Sequence, residues 1–407
     1  MNCKTVKRIL NDNAYVRISG SDEELRCAEY LRAKCAEMGL MARLESFTIK
    51  KYTENCAKLT VDGKEIACKS YFGTATGALK APLYYLSGTD PVSLRKCKGK
   101  IVLCDTPMGY KLYDKLIDHG ALGFITHVGN LYFADHDIDR RELRFTREQE
   151  MFGVHIHVSD AVDLVKNGAK MAEITVEQTV EAGRSHNLIL DFEGECDETV
   201  VISAHYDSTI LSTGVYDNMS GALGLLYLAE KLANTSRRRK VRLLWCGSEE
   251  RGLLGSLAYC DMHRQELDKT VLNINLDMLG SIMGEFVIFS CVNEEMTKHL
   301  EKFASRHRIS ASVRHAIRSS DSNTFVYYGV PAISFARYAP TRTALIHTRY
   351  DTMDVMSAQR LLDDMKNVWL FTERIVNAPE FPVPMEISEQ IREDTQKYME
   401  RKLRYDE

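Results

Sequence analysis

One stretch of the sequence, residues 200–280, constrains the fold of this chain more than any other. It contains three short apolar runs, each rich in leucine or β-branched residues and bounded by residues that break regular structure. Such runs are typical of buried strands, and a helical pattern separates the first two. The stretch therefore predicts an open α/β sheet with strands at Val200–Ala204, Val241–Cys246 and Val271–Leu276.

Side chains that can bind metals stand at or just past the end of each predicted strand. Because open α/β sheets bind ligands outside the carboxyl ends of their strands, these side chains are expected to meet at one edge of the sheet. A further histidine, in the segment HTRYDT, follows the strand-like run AISFA late in the chain. The candidate site residues are His205, Asp207, Asp217, Glu249, Glu250, Asp277 and His347.

Three of the aspartates have distinct expected roles. Asp207 is two residues from His205 at a strand end, so both point to one side. A metal-binding imidazole usually donates its other N–H to a carboxylate, which favours His205 as a ligand and Asp207 as the residue that orients it. Asp217 precedes a helix, where an aspartate is most often a cap, although its two oxygens could also bridge two cations. Asp277 lies in an apolar strand, where a carboxylate is rarely tolerated unless it is paired or bound to a cation.

The pair Glu249–Glu250 directly follows a strand, so one carboxylate can bind a metal while the other faces bound water. Two cations lower the pKa of such a water toward about 7, and a free carboxylate can then take its proton. His347 alone would most often be a core histidine, but it completes this set. Nitrogen and oxygen ligands without cysteine favour zinc, with cobalt or manganese as substitutes. The residues therefore predict a di-zinc hydrolase.

Composition argues against several other classes of protein. The formal net charge is −4 and the one short basic run is Arg237–Lys240, which predicts no nucleic-acid or membrane partner. No apolar run approaches the roughly 18 residues of a spanning helix, and the N-terminal segment lacks the apolar core of a secretory signal. Eleven scattered cysteines without a CxxC pair indicate reduced thiols and a cytoplasmic location. No G-x-S-x-G or phosphate-binding loop is present.

Residues from about Tyr52 to Ala182 carry many short strand signals and one helical pattern, Tyr110–His119. His155 and His157 alternate on one of these strands, and without a third partner they favour a structural or surface role over a metal site. We predict a discontinuous α/β domain (1–51 and 184–380), a β-rich insert (52–183) and a charged helical tail (381–407). The tail is either a surface helix or a contact arm, and its charge favours a solvated face.

The segments HYDS, YDNMSG, SEERGLLGS, NLDMLG and HTRYDT resemble, in this order, the motif series of the family 28 metallopeptidases. That family includes aminopeptidases and glutamate carboxypeptidase. The resemblance implies a zinc-exopeptidase fold, with a mixed, mostly parallel sheet sandwiched by helices. It also implies that the β-rich insert is similar to the protease-associated domain that several members carry at this position.

The resemblance further implies a di-zinc exopeptidase that acts on peptides, an aminopeptidase that releases N-terminal residues. It also implies a role for each candidate residue. Glu249 would be the general base, and Asp207 would orient His205. The ligands would be His205 and Asp277 for one Zn²⁺ ion, Glu250 and His347 for the second, and Asp217 as the bridge between them.

Three alternatives to an aminopeptidase follow from the same resemblance. The first is a carboxypeptidase or a dipeptidase of the same family. In carboxypeptidase-like members a tyrosine directly before the last histidine donates to the tetrahedral intermediate, whereas Ile346 stands at that position here. Tyr338, Tyr350 or the backbone would then have to supply the donor. A glutaminyl-cyclase-like acyltransferase would keep one zinc ion and Asp-Ser in place of Asp217–Asn218. A non-catalytic member would lack ligands that are all present here. Arg318 and Asp321 are expected near the substrate or behind the ligands.

Overall fold

The structure is a computed structural model that describes residues 1–143 and 149–403. The chain divides into two compact units, the first with Met1–Ile49 and Gly183–Glu400 and the second with Lys50–Ala182. The helices of the described residues are α1 (Cys3–Asp12), α2 (Asp22–Glu37), α3 (Pro91–Arg95), α4 (Tyr110–Asp118), α5 (Val158–Lys166), α6 (Ser220–Leu232), α7 (Leu254–Met262), α8 (Glu294–Arg306), α9 (Ser322–Tyr327), α10 (Ala358–Asn377) and α11 (Glu389–Leu403).

The strands of the described residues are β1 (Arg43–Val61), β2 (Lys64–Ile66), β3 (Cys68–Phe72), β4 (Gly77–Leu86), β5 (Ile101–Cys104), β6 (Gly123–Val128), β7 (Arg141–Glu142), β8 (Phe152–His157), β9 (Met171–Phe192), β10 (Cys196–His205), β11 (Arg239–Cys246), β12 (Thr270–Leu276), β13 (Glu285–Cys291), β14 (Ser312–Arg314) and β15 (Ala332–Tyr338). None of the helices in the described ranges is both long enough and apolar enough to cross a lipid bilayer.

The first unit is built on a mixed, mostly parallel sheet. Its strand order is β14-β13-β15-β12-β10-β11-β9, and residues 188–192 of β9 pair with β11. The central pairings of β10 with β11, β10 with β12 and β12 with β15 are parallel. The pairings of β13 with β15 and of β9 with β11 are antiparallel. The predicted fold class is confirmed, and β10, β11 and β12 contain the three predicted strands.

Alternate residues of the central strands face two different apolar clusters. In β10, Val200 and Ile202 pack in a cluster with residues of α2, α6, α8 and α10, whereas Val201 packs in a cluster with α7 and α9. Because successive side chains of a strand point to opposite faces, helices cover both faces of this sheet. Burial on both faces is the reason that these strands appear in the sequence as continuous apolar runs.

The C-terminal helix α11 packs against other residues of the first unit, so it is the contact arm rather than the solvated helix that the sequence favoured. Ile391 and Met399 are fully buried, and Ile391 packs in a cluster that includes Val326. The hydroxyl of Tyr398 forms a 2.6 Å hydrogen bond with Ser319. The sparse apolar residues of the tail recur at helical spacing, so they form one buried stripe on an otherwise charged helix.

The second unit contains a sheet with the order β4-β5-β6-β8-β3-β7, in which β4, β5, β6 and β8 are parallel neighbours. The predicted helix at Tyr110 is α4. His155 and His157 are both buried, and their Nδ1 atoms are hydrogen-bonded to Thr126 and Ser159, each at 2.7 Å. No group of three possible metal ligands includes either histidine within the described residues.

An ion-pair cluster on the first unit gives its stability a pH dependence. His263 lies 3.0 Å from both Glu45 and Glu266 and stacks on Tyr259. Hydrogen bonding to Glu45 raises the pKa of His263 above its usual value of 6.5, against the effect of burial. A raised pKa means that the stabilisation is fully present below pH 6.5 and is lost as the pH rises through the folded-state value.

We therefore expect His263→Gln to lower the free energy of unfolding more at pH 6 than at pH 9. The difference should be on the order of 1 kcal/mol or less, because the partners are partly exposed to solvent. Denaturant unfolding of both proteins at the two pH values measures it. Glu45→Gln provides the matched background, since adding His263→Gln to it should cost much less stability at pH 6 than adding it to the wild type. An equal loss of stability at pH 6 and pH 9 on His263→Gln substitution would contradict the assignment.

Candidate metal centre

The candidate residues reach one edge of the first unit's sheet from the carboxyl ends of parallel strands. His205 is the last residue of β10, and Asp277 directly follows β12. Glu249 and Glu250 lie in the turn after β11, and His347 lies in the loop after β15. Parallel strands end at the same edge of a sheet, so four segments that are distant in sequence deliver their side chains to one place.

The donor atoms form two adjacent groups that share one aspartate. The first group is His205, Asp217 and Asp277, and the second is Asp217, Glu250 and His347. Within each group the donor atoms all lie within 4.8 Å of one another. The structure therefore brings together all five side chains that the sequence proposed as ligands.

Asp217 presents a different oxygen to each group. Its Oδ1 lies 3.2 Å from Nε2 of His205, and its Oδ2 lies 3.2 Å from Nε2 of His347. Nε2 of His347 is also 3.1 Å from Oε2 of Glu250. A carboxylate between two donor groups, with one oxygen directed to each, has the arrangement required of a bridging ligand.

The turn that carries Asp217 is held by two neighbouring side chains. Asp217 lies in the turn Val215–Met219, directly before α6, where the backbone of Asp217 and Asn218 is not helical. Asp351 accepts hydrogen bonds from the backbone N–H groups of Tyr216 (2.8 Å) and Asp217 (3.1 Å). Asn218 donates to the carbonyl of Leu276 and accepts from the N–H of Met278, so it connects this turn to the strand end at Asp277.

A single glycine permits this close approach of α6 to β12. A Cβ atom on Gly221 would lie 2.3 Å from the carbonyl oxygen of Leu276 and 2.5 Å from Oδ1 of Asn218. Only a residue without a side chain fits there, because contacts this short with backbone atoms require the backbone to move. Gly221 therefore allows Asp217 and Asp277 to come together.

Asp207 supports the site without belonging to either donor group. Its Oδ1 lies 3.4 Å from Nδ1 of His205, and its two oxygens accept the N–H groups of Glu249 (3.0 Å) and Glu250 (3.1 Å). The carboxylate thus lies behind the imidazole and fixes the turn with both glutamates. This position agrees with the orienting role expected from the His205–Asp207 spacing.

Arg318 holds one side of Asp277. Its Nη1 donates to the carbonyl of Asp277 at 2.6 Å, and its Nη2 lies 3.2 Å from Oδ2 of the same residue. Its guanidinium also lies over the ring of Tyr338. The other oxygen of Asp277, Oδ1, is buried and has no hydrogen-bond partner. It lies 3.8 Å from Nε2 of His205, on the side of the first donor group.

The site concentrates negative charge in a small volume. Burial alone would lower the pKa of both histidines. The pKa of His205 is nevertheless raised above its usual range by Glu249 and the surrounding aspartates. That of His347 is raised in the same way by Glu250 and Asp217. Burial raises the pKa of Glu249 well above its usual range, and the charge of Glu250 adds to this while His205 opposes it. Each imidazole is thus in a place where positive charge is strongly favoured.

The residues present fit a pair of divalent metal ions. Buried carboxylates require compensating positive charge, and Arg318 supplies part of it to Asp277. Oδ1 of Asp277 is buried and unsatisfied, which a cation in the first group would correct. Imidazole nitrogens with carboxylate oxygens, and no sulfur, are a donor set that zinc accepts.

Comparison with known proteins places this centre in a family. The model of peptidase family M28 matches residues 187–372, a segment that includes every donor of both groups. Residues 187–372 form a domain of peptidase family M28. The family resemblance inferred from the five sequence motifs is confirmed.

Relatives of this segment include proteins named as aminopeptidases. Aminopeptidase Y of Saccharomyces cerevisiae is 30% identical over 166 residues, which are 39% of this chain and 31% of that protein. Leucine aminopeptidase 2 of Trichophyton equinum is 36% identical over 120 residues, 29% of this chain and 24% of that protein. The chain matches less than a third of the length of either relative.

Among solved structures, the zinc aminopeptidase BSAP of Bacillus subtilis is similar over 96% of this chain and 98% of its own, with a TM-score of 0.80 and 23% identity. An aminopeptidase from Aneurinibacillus sp. strain AM-1 is similar over 95% and 98%, with a TM-score of 0.74 and 21% identity. These likenesses show that the fold is shared.

Some residues of the site were missed in the sequence. Asp321, expected behind the ligands or near the substrate, is fully buried, and its charge contributes to the raised pKa of Glu249. Asp351 and Asn218 were recognised only as parts of motifs, although each holds the Asp217 turn. Glu24, on α2, was not among the candidate site residues, yet it accepts the N–H of Ser248. No local pattern relates residue 24 to residue 248.

Proposed function

We propose that this chain is a zinc-dependent aminopeptidase that hydrolyses the peptide bond after the N-terminal residue of its substrate. The observation that carries this proposal is the pair of donor groups that share Asp217, with Glu249 in the adjoining turn. Membership of the M28 family and the aminopeptidases among the relatives support it. The position before His347 is Ile346, which departs from the tyrosine expected of a carboxypeptidase.

We infer two zinc ions, one for each donor group. His205 and Asp277 would hold the first, Glu250 and His347 the second, and Asp217 both. Bound zinc supplies Lewis-acid chemistry, polarising a carbonyl oxygen and making water more acidic.

The side chains of this chain would perform the proton transfers. As water adds to the scissile carbonyl carbon, the carboxylate of Glu249 accepts its proton. The same carboxyl group then donates that proton to the amine nitrogen as the C–N bond breaks. Glu249 is suited to this cycle because Asp207 holds its backbone N–H and because its partly buried carboxylate is not a member of either donor group.

Two further features belong to this proposal. The second unit would correspond to a protease-associated domain, consistent with its β-rich character. A cytoplasmic location is supported by the state of the cysteines, since all eleven are free thiols and seven of them are buried.

The proposal predicts release of p-nitroaniline from Leu-p-nitroanilide by zinc-containing protein, and no release from the N-acetylated compound. A free α-amine is the feature that separates an aminopeptidase substrate from an endopeptidase or carboxypeptidase substrate. Initial rates measured with both compounds, and zinc content measured on the same sample, provide the test. Cleavage only of peptides with a free C-terminus and a blocked N-terminus would indicate a carboxypeptidase, and cyclisation of N-terminal glutamine with one bound zinc would indicate an acyltransferase.

A further inference from the structure

Two buried carboxylates hold the turn that carries both functional glutamates. Three successive backbone N–H groups point to them: that of Ser248 donates to Oε1 of Glu24 at 2.9 Å, and those of Glu249 and Glu250 donate to Asp207 at 3.0 and 3.1 Å. Successive N–H groups in a turn form a concave site for negative charge. Here that site is filled by side chains of the same chain, so their positions determine the path of the turn.

Glu24 reaches this turn from the N-terminal helix α2. It is 1% exposed, and its second oxygen, Oε2, accepts the N–H of Gly20 at 2.7 Å. The hydroxyl of Ser248 also donates to Oε1 at 3.1 Å, and the hydroxyl of Ser19 is hydrogen-bonded to that of Ser248. Both oxygens of Glu24 therefore have partners, one on α2's own entry turn and one beside the donor groups.

The ordinary role of such a glutamate accounts for only one of these three hydrogen bonds. Ser21 caps α2 and accepts the N–H of Glu24, and a glutamate at this position commonly reaches back toward the start of its helix. The bond to Gly20 fits that role. The two bonds to Ser248, which is 224 residues away in sequence, do not contribute to capping α2.

The two hydrogen bonds from Ser248 to Glu24 hold Ser248 in an unfavourable backbone conformation. Its φ is +56°, in the left-handed region, which is unfavourable for a residue with a side chain and is kept only where surrounding contacts hold it. Glu24 holds both the N–H and the hydroxyl of this residue. Release of Ser248 would allow the turn to relax and would redirect the side chains of Glu249 and Glu250.

We propose that Glu24 is a positioning residue for the metal centre: through Ser248, it sets the direction of the Glu249 and Glu250 side chains. Glu24 lies outside the segment 187–372 that matches the family, so the N-terminal helix is part of the working site. The effect on catalysis rests on the proposed aminopeptidase function, whereas the effect on the turn does not.

The test compares Glu24→Gln and Glu24→Ala with Glu23→Gln, which changes an exposed glutamate in the same helical turn. Glu24→Gln places an NH₂ group against the N–H of either Gly20 or Ser248, so one of these two hydrogen bonds is lost. Glu24→Ala removes both acceptor oxygens. At saturating zinc, kcat for Leu-p-nitroanilide should fall about 10- to 100-fold, since misplacement by about 1 Å can lower rates about 100-fold. KM should change by less than about threefold, and Glu23→Gln should behave as wild type.

Amide hydrogen exchange in zinc-free protein gives a second readout that needs no activity. The amides of Ser248, Glu249 and Glu250 should exchange at least about tenfold faster in Glu24→Gln, while those in the middle of α2 keep their protection. Unchanged exchange at these amides, or a kcat that equals that of wild type per folded molecule, would overturn the proposal. If Glu24→Ala does not fold, Glu24→Gln decides the matter. A wild-type protein without aminopeptidase activity would overturn the proposed function, and the exchange result would still decide the role of Glu24.

Discussion

Glu249→Gln is expected to lower kcat/KM for N-terminal hydrolysis by about 10²- to 10⁴-fold, the usual contribution of a general base. Glutamine has nearly the same shape, and its backbone N–H can still donate to Asp207, as that of Glu249 does. It cannot accept a proton from water or return one to the leaving amine. The variant should therefore bind substrate normally while losing turnover.

Steady-state kinetics with Leu-p-nitroanilide, with zinc content measured on the same samples, test this expectation. Glu249 lies outside both donor groups, so bound zinc should be unchanged and the loss should fall in kcat. Wild-type turnover by Glu249→Gln would remove Glu249 from the mechanism. A loss of activity that parallels a loss of zinc would instead make Glu249 a ligand.

Asp217→Asn is expected to weaken zinc binding at both positions at once. The change keeps the size of the side chain but removes the charge that lies 3.2 Å from both imidazoles, and the amide can present only one oxygen. Substitution of a residue behind a ligand typically lowers metal affinity about 10- to 100-fold, and a shared ligand should have a larger effect than that. Activity should fall with the zinc content.

Asp207→Asn provides the matched comparison for Asp217→Asn. Asp207 contacts His205 from behind and belongs to neither donor group, so its loss should lie within the range of about 10- to 100-fold. Competition with a chromophoric chelator measures both zinc affinities. Retention of two tightly bound zinc ions by Asp217→Asn would contradict its bridging role.

Much of the site could be predicted from the sequence because its donors follow recognisable strands. Asp277 was informative on physical grounds, since a carboxylate at the end of an apolar run needs compensation. His205 and Glu250 follow similar runs, and the parallel order of β10, β11, β12 and β15 brings the strand ends together. The helical pattern at Tyr110–His119 also located α4 to within one residue of its observed bounds.

The parts that could not be predicted depend on contacts between distant segments. Glu24 satisfied a local rule for helix starts, and that rule concealed its bonds to Ser248. The preference for a solvated tail was wrong for a similar reason, because the charged residues around Ile391 and Met399 favoured exposure to solvent. Whether a sparse apolar stripe is buried depends on the surface that faces it, which in this case is formed near Val326.

Titration of metal-free protein with zinc tests the central claim most directly. Bound zinc and aminopeptidase activity are measured on the same samples as the ratio of zinc to protein increases. We predict that activity reaches its plateau at two bound zinc ions per chain and that Asp217→Asn shows neither the binding nor the plateau. Full activity in protein without bound metal, or tight binding of two zinc ions by Asp217→Asn, would contradict a centre in which one aspartate joins two donor groups.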